Sequence, residues 1–396
     1  MAALIAPARV LRFGGGTNNF LSSRFKRAIA LDKLTTLVGL VNTNAVSREA
    51  VLKAVRMHGH GGIDQLFYED AEDPKITEPN EVIVKLRAAA INHIDIWNRM
   101  GVTGVAMAMP HILGGDGAGT IVEIGAKVVN VKVGDAVCLY PPTGCRQCEF
   151  CRTDRDFMCI RLRVLGERLE GTYAEYVKLP GENCFPMPTD YSFEEAAAFP
   201  LVFITLWRML VTHARLKPGE TMLIIGIGGG VASASLQVAE KIGARVIVTS
   251  GSDEKLARAK ALGAAHGINH RRDDFVKAVS DLTQGRGVDV VLDCVGGEVW
   301  QKSLASLAMG GRLVTCGATA GGQPNDDIAA IFSKQLKIYG STLGSRDEFR
   351  QVISFLSLSQ IKPIIDRVFP LSEGAAAQKH LEDAKQFGKV VLGIAN

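Results

Sequence analysis

The hydrophobic positions of this chain change their spacing about midway along it. Between Lys53 and Val177 they form short apolar runs, such as EVIVKLRAAAI and AGTIVEIG, separated by Gly, Pro, Asn and Asp. Such runs are typical of a partly open β-barrel. From about Ser192, helical stretches alternate with apolar strand-like runs at 222–226, 245–249, 289–293 and 312–317. This alternation predicts a doubly wound parallel sheet with helices on both faces, so the predicted fold class is α/β.

One strand-like run leads directly into a glycine-rich turn. The stretch from Thr221 to Ser250 has the pattern of a strand, a turn, a helix and a second strand. Backbone N–H groups at a helix N-terminus can approach a pyrophosphate closely where glycines leave the backbone bare. A glycine pattern alone is weak evidence, but this one has the required strand–turn–helix context. The residues predicted to hold the dinucleotide here are Gly226, Gly228, Gly229, Gly230, Val231 and Ala232.

The end of the second strand bears on the choice of dinucleotide. Units that bind NAD place Asp or Glu there to bind the ribose 2′-hydroxyl, whereas this chain has Ser250. A carboxylate would repel a 2′-phosphate, and a hydroxyl can donate to one, so NADP(H) is the expected cofactor. Asp253 and Glu254 argue against this choice, and a solvated helix face is the alternative for the nearby basic residues. The predicted contacts are Ser250, Ser252, Lys255 and His270.

Four cysteines are crowded into one loop with the spacing C-x2-C-x2-C-x7-C: Cys145, Cys148, Cys151 and Cys159. Four thiolates at such spacing can surround Zn²⁺ tetrahedrally, which predicts a zinc lobe over residues 140–162. Four sulfur ligands leave no open position, so this zinc is structural. An iron–sulfur cluster, disulfides and free thiols are the alternatives. The remaining cysteines are scattered singly and are interpreted as small core residues: Cys138, Cys184, Cys294 and Cys316.

Composition narrows the class of protein. The chain has 396 residues, of which 47% are hydrophobic and 6% aromatic. Its net charge is +4, and its basic residues are not gathered in a block. These values argue against a nucleic-acid partner, and the partner we expect is a small-molecule substrate. No apolar run approaches the roughly 18–20 residues of a membrane span, so we expect a soluble protein.

The first 31 residues contain five Arg and Lys but no acidic residue. That composition is typical of an organelle transit peptide, and the alternative is that the segment is not native protein. Residues 1–50 are therefore set aside as an N-terminal extension. The expected location is cytoplasmic, or mitochondrial if residues 1–31 are a real transit peptide.

Several motifs together resemble the medium-chain dehydrogenase/reductase superfamily, which includes zinc alcohol dehydrogenases and quinone oxidoreductases. They are INHIDIW (91–97), LGGDGAGTIVEIG (113–125), the four-cysteine loop, LKPGETMLIIGIGGGVA (216–232) and LARAKALGA (256–264). The resemblance implies a GroES-like catalytic domain of residues 53–190 and 345–396 and a Rossmann domain of residues 191–344. It also implies a cofactor cleft between the two domains, a structural role for the four-cysteine zinc site, and a homodimer or homotetramer.

The chain departs from the zinc alcohol dehydrogenases at the positions that carry their chemistry. The positions that match the catalytic zinc ligands of that family are Asn92, Gly115 and Leu201, and none is a plausible zinc ligand. The positions of the proton relay match Ile94 and Trp97, which cannot pass a proton. Without a Lewis acid or a relay, alcohol oxidation of the zinc type has lost its machinery.

What remains resembles the quinone and enone reductases of the superfamily, whose N-x-x-D motif matches Asn92 and Asp95. The resemblance implies an NADPH-dependent oxidoreductase that transfers hydride to an activated C=C bond or a quinone, with Asn92 and His93 as the candidate catalytic residues. It also implies cofactor contacts from Thr205 and Lys389. Asp95 and Asp116 are interpreted as local anchors. The alternatives are an alcohol dehydrogenase-like enzyme that uses NAD(P), and a non-catalytic NADPH-binding protein.

Overall fold

The computed structural model describes residues 51–323 and 327–395. The N-terminal extension of residues 1–50 lies outside the described residues. Within the described part of the chain, no helix is long and apolar enough to cross a membrane.

The first part of the described chain forms short strands, as its interrupted apolar runs predicted. Its elements are β1 (Val51–Met57), β2 (Leu66–Glu72), β3 (Glu81–Ile91), α1 (His93–Met100), β4 (His111–Ile112), β5 (Asp116–Ile124), β6 (Ala136–Leu139), β7 (Pro142–Thr143), α2 (Glu149–Arg152), β8 (Arg163–Val164), β9 (Tyr176–Pro180) and β10 (Cys184–Pro186). β1 pairs with β2 and β4, whereas β3 is the centre of a larger sheet that includes β5, β6, β9 and β10. β3 is buried along most of its length because strands flank it on both sides.

The middle of the chain forms a six-stranded parallel sheet with intervening helices. Its elements are α3 (Phe193–Ala198), α4 (Pro200–Trp207), β11 (Thr221–Ile224), α5 (Gly230–Ile242), β12 (Arg245–Ser250), α6 (Asp253–Ala261), β13 (His266–Asn269), α7 (Phe275–Leu282), β14 (Val288–Leu292), α8 (Val299–Ala305), β15 (Leu307–Thr315), α9 (Ile328–Ser333) and β16 (Lys337–Gly340). The strand order is β13–β12–β11–β14–β15–β16, and every neighbouring pair is parallel. The α/β fold class is confirmed.

The strand order of this sheet locates a crevice. From β11 the chain moves to β12 on one side and later returns to β14 on the other side. Such a reversal is a topological switch point, and open parallel sheets bind ligands there, beyond the carboxyl ends of the strands. The glycine-rich turn follows β11 at this point.

The last part of the chain returns to the first sheet. Its elements are α10 (Arg346–Ser359), β17 (Ile365–Pro370), α11 (Gly374–Glu382) and β18 (Lys389–Gly393). β18 lies between β3 and β17, so the larger sheet has seven strands. The first residue of β18 thereby reaches the end of β3, next to the candidate site.

Candidate functional site

The polar residues of the site meet where β3 ends. β5 begins at Asp116 beside the last residues of β3, and β18 pairs Val390 with Ile91. Lys389 precedes Val390 and Asn92 follows Ile91, so antiparallel register places Lys389 beside Asn92. Sheet register therefore brings together three polar side chains that are far apart along the chain.

The ammonium group of Lys389 lies at the centre of this cluster. Its Nζ donates to Asn92 Oδ1 at 2.5 Å, to Ile91 O at 2.9 Å and to Asp116 Oδ2 at 3.1 Å. The Lys389 side chain is 4% exposed and that of Asp116 is 0% exposed. An ammonium has three N–H donors, and all three are used here. The resemblance implies that Lys389 contacts the cofactor. In this structure the methylene stem of Lys389, and not its ammonium group, approaches the glycine turn: a Cβ on Gly230 would lie 2.8 Å from Lys389 Cδ.

Asp116 joins the three positions that the resemblance matches to the catalytic zinc ligands of the alcohol dehydrogenases. Its Oδ2 accepts from Asn92 Nδ2 at 2.9 Å, and its Oδ1 accepts from Leu201 N at 2.8 Å. A Cβ on Gly115 would lie 3.6 Å from Leu201 Cδ1. The three positions therefore converge in space, yet their side chains offer no thiolate, imidazole or carboxylate. The ammonium of Lys389 in their midst would repel a divalent cation.

Asn92 and Thr205 are committed to other contacts in this structure. Both ends of the Asn92 carboxamide are hydrogen-bonded inside the cluster, and the residue is 6% exposed. Thr205 lies in α4 and donates its hydroxyl to Leu201 O at 2.7 Å. The geometry gives Asn92 an anchoring role, and the contacts of both residues with cofactor or substrate stay predictions.

Asp95 fixes the start of α1. Its Oδ2 accepts from Asn92 N and from Tyr173 Oη, both at 2.8 Å. Burial raises the pKa of Asp95 to about 6, and the two hydrogen bonds, which favour the charged form, oppose that rise. The carboxyl group is buried between its donors, which is the geometry of an anchor.

His93 is the first residue of α1 and is half-buried. Burial lowers the pKa of its imidazole, and the Lys389 ammonium lowers it further, so the ring is neutral at pH 7. Its ring centroid lies 6.2 Å from that of Trp97. Trp97 in turn faces the parallel sheet, because a Cβ on Gly317 would lie 3.6 Å from its Cη2. Trp97 therefore brings α1 against the residues that follow β15, with His93 beside it.

The glycine turn leaves a helix N-terminus uncovered. Gly226 has a φ of +73°, which a residue with a side chain adopts only with strain. α5 begins at Gly230 after the N-cap residue Gly229, and no side chain caps it. A Cβ on Gly229 would meet nothing within 4 Å. The N–H groups of the first turn, which includes Val231 and Ala232, can therefore bind an anion at the positive end of the helix dipole.

The end of β12 presents two serine hydroxyls. Ser250 Oγ accepts from Ser252 N at 3.1 Å, and Ser252 Oγ accepts from Lys255 N at 3.3 Å. Each hydroxyl keeps its hydrogen to donate to a ligand. Lys255 extends toward the glycine turn, since a Cβ on Gly228 would lie 3.2 Å from its Nζ, and it donates to Ala384 O at 2.6 Å.

Sequence reasoning missed Arg271. A Cβ on Gly251 would lie 2.6 Å from Arg271 Nε, so the guanidinium group flanks the residue that follows Ser250. The neighbouring His270 is exposed and donates its backbone N–H to Ser250 O at 3.1 Å. Only the pairing of β13 with β12 brings these residues together, and the sequence gives no sign of that pairing.

The carboxylate that argued against NADP(H) has partners of its own. Asp253 receives two hydrogen bonds from Arg272, both at 2.9 Å, and one from Asn269 at 2.8 Å. Its charge is therefore satisfied at the end of β13. Arg258 lies 3.6 Å from Asp366, so this arginine is paired away from the end of β12.

The four-cysteine loop brings its sulfur atoms within 4.8 Å of one another. Sγ–Sγ distances of 3.6, 3.8 and 4.0 Å occur among them, close to the about 3.8 Å edge of a tetrahedron with Zn–S bonds of about 2.3 Å. Backbone N–H donors, led by that of Gln147, lower the pKa of Cys145 to about 5. Burial raises the pKa of Cys151 to about 12, a thiol that the charge of a bound metal would ionise. The donor set fits structural zinc, and it is the only such group of metal-binding side chains in the described residues.

The four remaining cysteines are not all isolated core residues. Cys138 and Cys184 are buried in the core. Cys294 and Cys316 are half-buried instead, and their sulfur atoms lie 3.3 Å apart. Both pack against the hydrophobic core, but they are not single, because β14 and β15 are neighbours in the sheet.

Comparisons with known proteins place this geometry in context. A family model described as the alcohol dehydrogenase GroES-like domain matches residues 78–189, and one described as zinc-binding dehydrogenase matches residues 230–358. A zinc-type alcohol dehydrogenase-like protein of Schizosaccharomyces pombe is 34% identical over 345 residues, which are 84% of this chain and 96% of that protein.

Solved structures with the same fold include an NAD-dependent alcohol dehydrogenase and a crotonyl-CoA carboxylase/reductase. The first has a TM-score of 0.83 and 41% identity, and the match covers 87% of this chain and all of that one. The second has a TM-score of 0.80 and 26% identity over 87% of this chain and 88% of that one.

Proposed function

The chain belongs to the medium-chain dehydrogenase/reductase superfamily, and we propose that it is an NADPH-dependent reductase of activated C=C bonds or quinones. An oxidoreductase of this superfamily that uses a nicotinamide cofactor is the part that the comparisons establish. The direction of hydride transfer, the class of acceptor and the choice of NADP(H) belong to the proposal.

One observation carries the proposal. The three positions that match catalytic zinc ligands converge on Asp116, whose charge is already balanced by the buried ammonium of Lys389. Oxidation of an unactivated alcohol needs a Lewis acid or a base to remove the hydroxyl proton. An α,β-unsaturated carbonyl compound or a quinone needs neither, because its own oxygen takes up the charge that the hydride brings.

Each residue of the cluster has a defined part in this proposal. A reduced nicotinamide, when bound, supplies the hydride. Lys389 and Asp116 hold Asn92 and the start of α1 in place, so they act as positioning residues. The neutral imidazole of His93 can donate an N–H to the developing enolate oxygen. Trp97 opposite Gly317 gives the acceptor an apolar wall and keeps water from the reacting atoms.

The preference for NADPH rests on the end of β12. The hydroxyls of Ser250 and Ser252 and the guanidinium group of Arg271 lie at the end of β12, where a 2′-phosphate would bind. The ammonium of Lys255 adds positive charge at the adjacent glycine turn. No carboxylate occupies the last position of β12, and Asp253 is paired with Arg272.

The names of several relatives favour a second candidate function. The NAD-dependent alcohol dehydrogenase structure is 41% identical to this chain, so an alcohol dehydrogenase-like activity without catalytic zinc remains the alternative. The crotonyl-CoA carboxylase/reductase, named as a reductase, supports the first candidate. A third candidate is a protein that binds NADPH without turnover.

A matched activity panel separates these candidates. The purified protein is given NADPH with enones, enoyl thioesters and quinones, and separately NADP⁺ or NAD⁺ with the saturated alcohols of the same carbon skeletons. We expect NADPH oxidation on the first panel at a kcat/KM at least tenfold above any alcohol oxidation. Faster oxidation of simple alcohols would overturn the proposal. NADPH binding without turnover on either panel would favour the third candidate.

A further inference from the structure

Cys294 and Cys316 occupy equivalent places on neighbouring parallel strands. Leu292 at the end of β14 pairs with Val314 on β15, and each cysteine lies two residues beyond its member of that pair. Their Sγ atoms are 3.3 Å apart. Neighbouring strands lie about 4.8 Å apart, within the Cα–Cα range that a disulfide spans. The sulfurs need to approach by only about 1.3 Å to reach the usual S–S bond length of about 2.05 Å.

The pair lies at the half of the crevice that would hold the nicotinamide. The glycine turn follows β11, and the predicted 2′-phosphate site lies beyond β12, so the adenosine half of a dinucleotide belongs on that side of the switch point. The nicotinamide half then lies over the ends of β14 and β15. Val295, which follows Cys294, touches the glycine turn, since a Cβ on Gly226 would lie 3.4 Å from its Cγ2. Gly317, which follows Cys316, lies against the ring of Trp97.

Both cysteines are partly exposed. Each cysteine is half-buried, unlike Cys138 and Cys184, which are fully enclosed. The Cys316 sulfur beside it and burial raise the pKa of Cys294 well above its ordinary value.

We propose that Cys294 and Cys316 form a redox-active dithiol site, which hydroperoxides oxidise to a disulfide and which a bound nicotinamide dinucleotide shields. Cys316 sulfur attacks the outer oxygen of the hydroperoxide, giving a sulfenic acid, while its proton leaves with the departing alkoxide as an alcohol. Cys294 sulfur then attacks the sulfenic sulfur, and the Cys294 proton leaves with hydroxide as water. Two thiols lose two electrons in total, and the O–O bond takes them up.

The proposal rests on the binding of a nicotinamide dinucleotide in this cleft, and it is independent of the acceptor or the direction of hydride transfer. A dinucleotide that covers the two sulfurs slows their oxidation. By linkage, the disulfide weakens dinucleotide binding by the same coupling free energy.

Peptide mapping of the zinc-loaded full chain tests the site. The protein is treated with tert-butyl hydroperoxide, free thiols are alkylated, and tryptic peptides are analysed by mass spectrometry. Peptides 287–302 and 313–334 contain one cysteine each, Cys294 and Cys316, so their disulfide-linked product is diagnostic. We expect the linked product to form before half of the zinc is released, and dithiothreitol to reverse it. With saturating NADP⁺ or NAD⁺ the product should form at least tenfold more slowly.

Matched variants make the result specific. Cys294→Ser and Cys316→Ser should each abolish the linked product, whereas Cys184→Ser, at a buried cysteine on β10, should leave it unchanged. If the linked product does not form although the dinucleotide binds, the dithiol site is overturned. If the product forms equally fast with and without bound dinucleotide, the shielding is overturned. Dinucleotide binding is followed separately by fluorescence, so a failure of the cofactor assignment is recognised independently of the peptide map.

Discussion

Replacement of Lys389 by Met removes the cation that pairs with the buried carboxylate of Asp116. The two charged atoms are 3.1 Å apart, which corresponds to a gross attraction of about 5 kcal/mol at an effective dielectric constant of about 20. Breaking a buried pair by removing one partner costs about 3–5 kcal/mol, because an uncompensated charge stays behind. Lys389→Met should therefore lower the free energy of unfolding by that amount. For a chain of this size the loss corresponds to a drop of about 4–7 °C in Tm.

Thermal unfolding of four proteins measures this effect: the wild type, Lys389→Met, Asp116→Asn and the double variant. In the double variant, the carboxamide of Asn92 is free to turn and pair with the new amide that replaces the Asp116 carboxylate. We therefore expect the double variant to lose less free energy of unfolding than the two single variants lose together. The difference should be at least about 2 kcal/mol. Lys385→Met is the control, because this lysine is exposed and should change stability by less than about 0.5 kcal/mol. A cost below about 1 kcal/mol for Lys389→Met, or simple additivity in the cycle, would refute the buried-pair account.

Three further predictions concern the cofactor and the candidate acid. Ser250→Asp places a carboxylate beside the 2′-phosphate and should lower kcat/KM for NADPH at least tenfold, while NADH is used as well as before or better. An unchanged kcat/KM for NADPH would contradict the assignment of the 2′-phosphate site to the end of β12. Arg271→Ala removes a charge-assisted hydrogen bond of about 1.5–3 kcal/mol, so KM for NADPH should rise about 10–100-fold. The control is Arg272→Ala, at an arginine that is paired with Asp253, and it should change KM for NADPH less than about threefold. The pKa of His93 is lower in the folded protein than in the unfolded chain. Just below pH 6.5 the unfolded chain therefore binds more protons than the folded protein. The stability of the fold consequently falls as the pH drops through that value. His93→Gln should make this acid-side fall in Tm smaller, and an identical Tm-versus-pH curve would speak against a buried neutral imidazole.

The sequence was sufficient for the features that depend on local spacing. The alternation of strands and helices predicted the parallel sheet because each strand–helix unit carries its own apolar pattern. The cysteine spacing predicted the sulfur cluster because all four residues lie in one loop. Once the resemblance had matched positions 92, 115 and 201 to zinc ligands, their residue types showed that none could bind zinc.

The sequence could not predict the contacts that depend on strand pairing over long separations. Lys389 meets Asn92 across 297 positions only because β18 enters the sheet beside β3. Arg271 reaches the end of β12 because β13 pairs with it, and Cys294 meets Cys316 because β14 and β15 are neighbours. Side-chain identity gives no register, so the resemblance gave Lys389 another role, Arg271 was missed, and the two cysteines were interpreted as single core residues.

The metal content of the purified protein tests hydride transfer without a catalytic metal most directly. Inductively coupled plasma mass spectrometry, with protein concentration from amino-acid analysis, gives the number of zinc ions per chain. We predict one zinc ion, held by the four-cysteine loop, and its loss in Cys148→Ser, while Cys184→Ser retains it. Two zinc ions per chain, or one that persists in Cys148→Ser, would mean that a second site binds zinc, and hydride transfer without a catalytic metal would be contradicted.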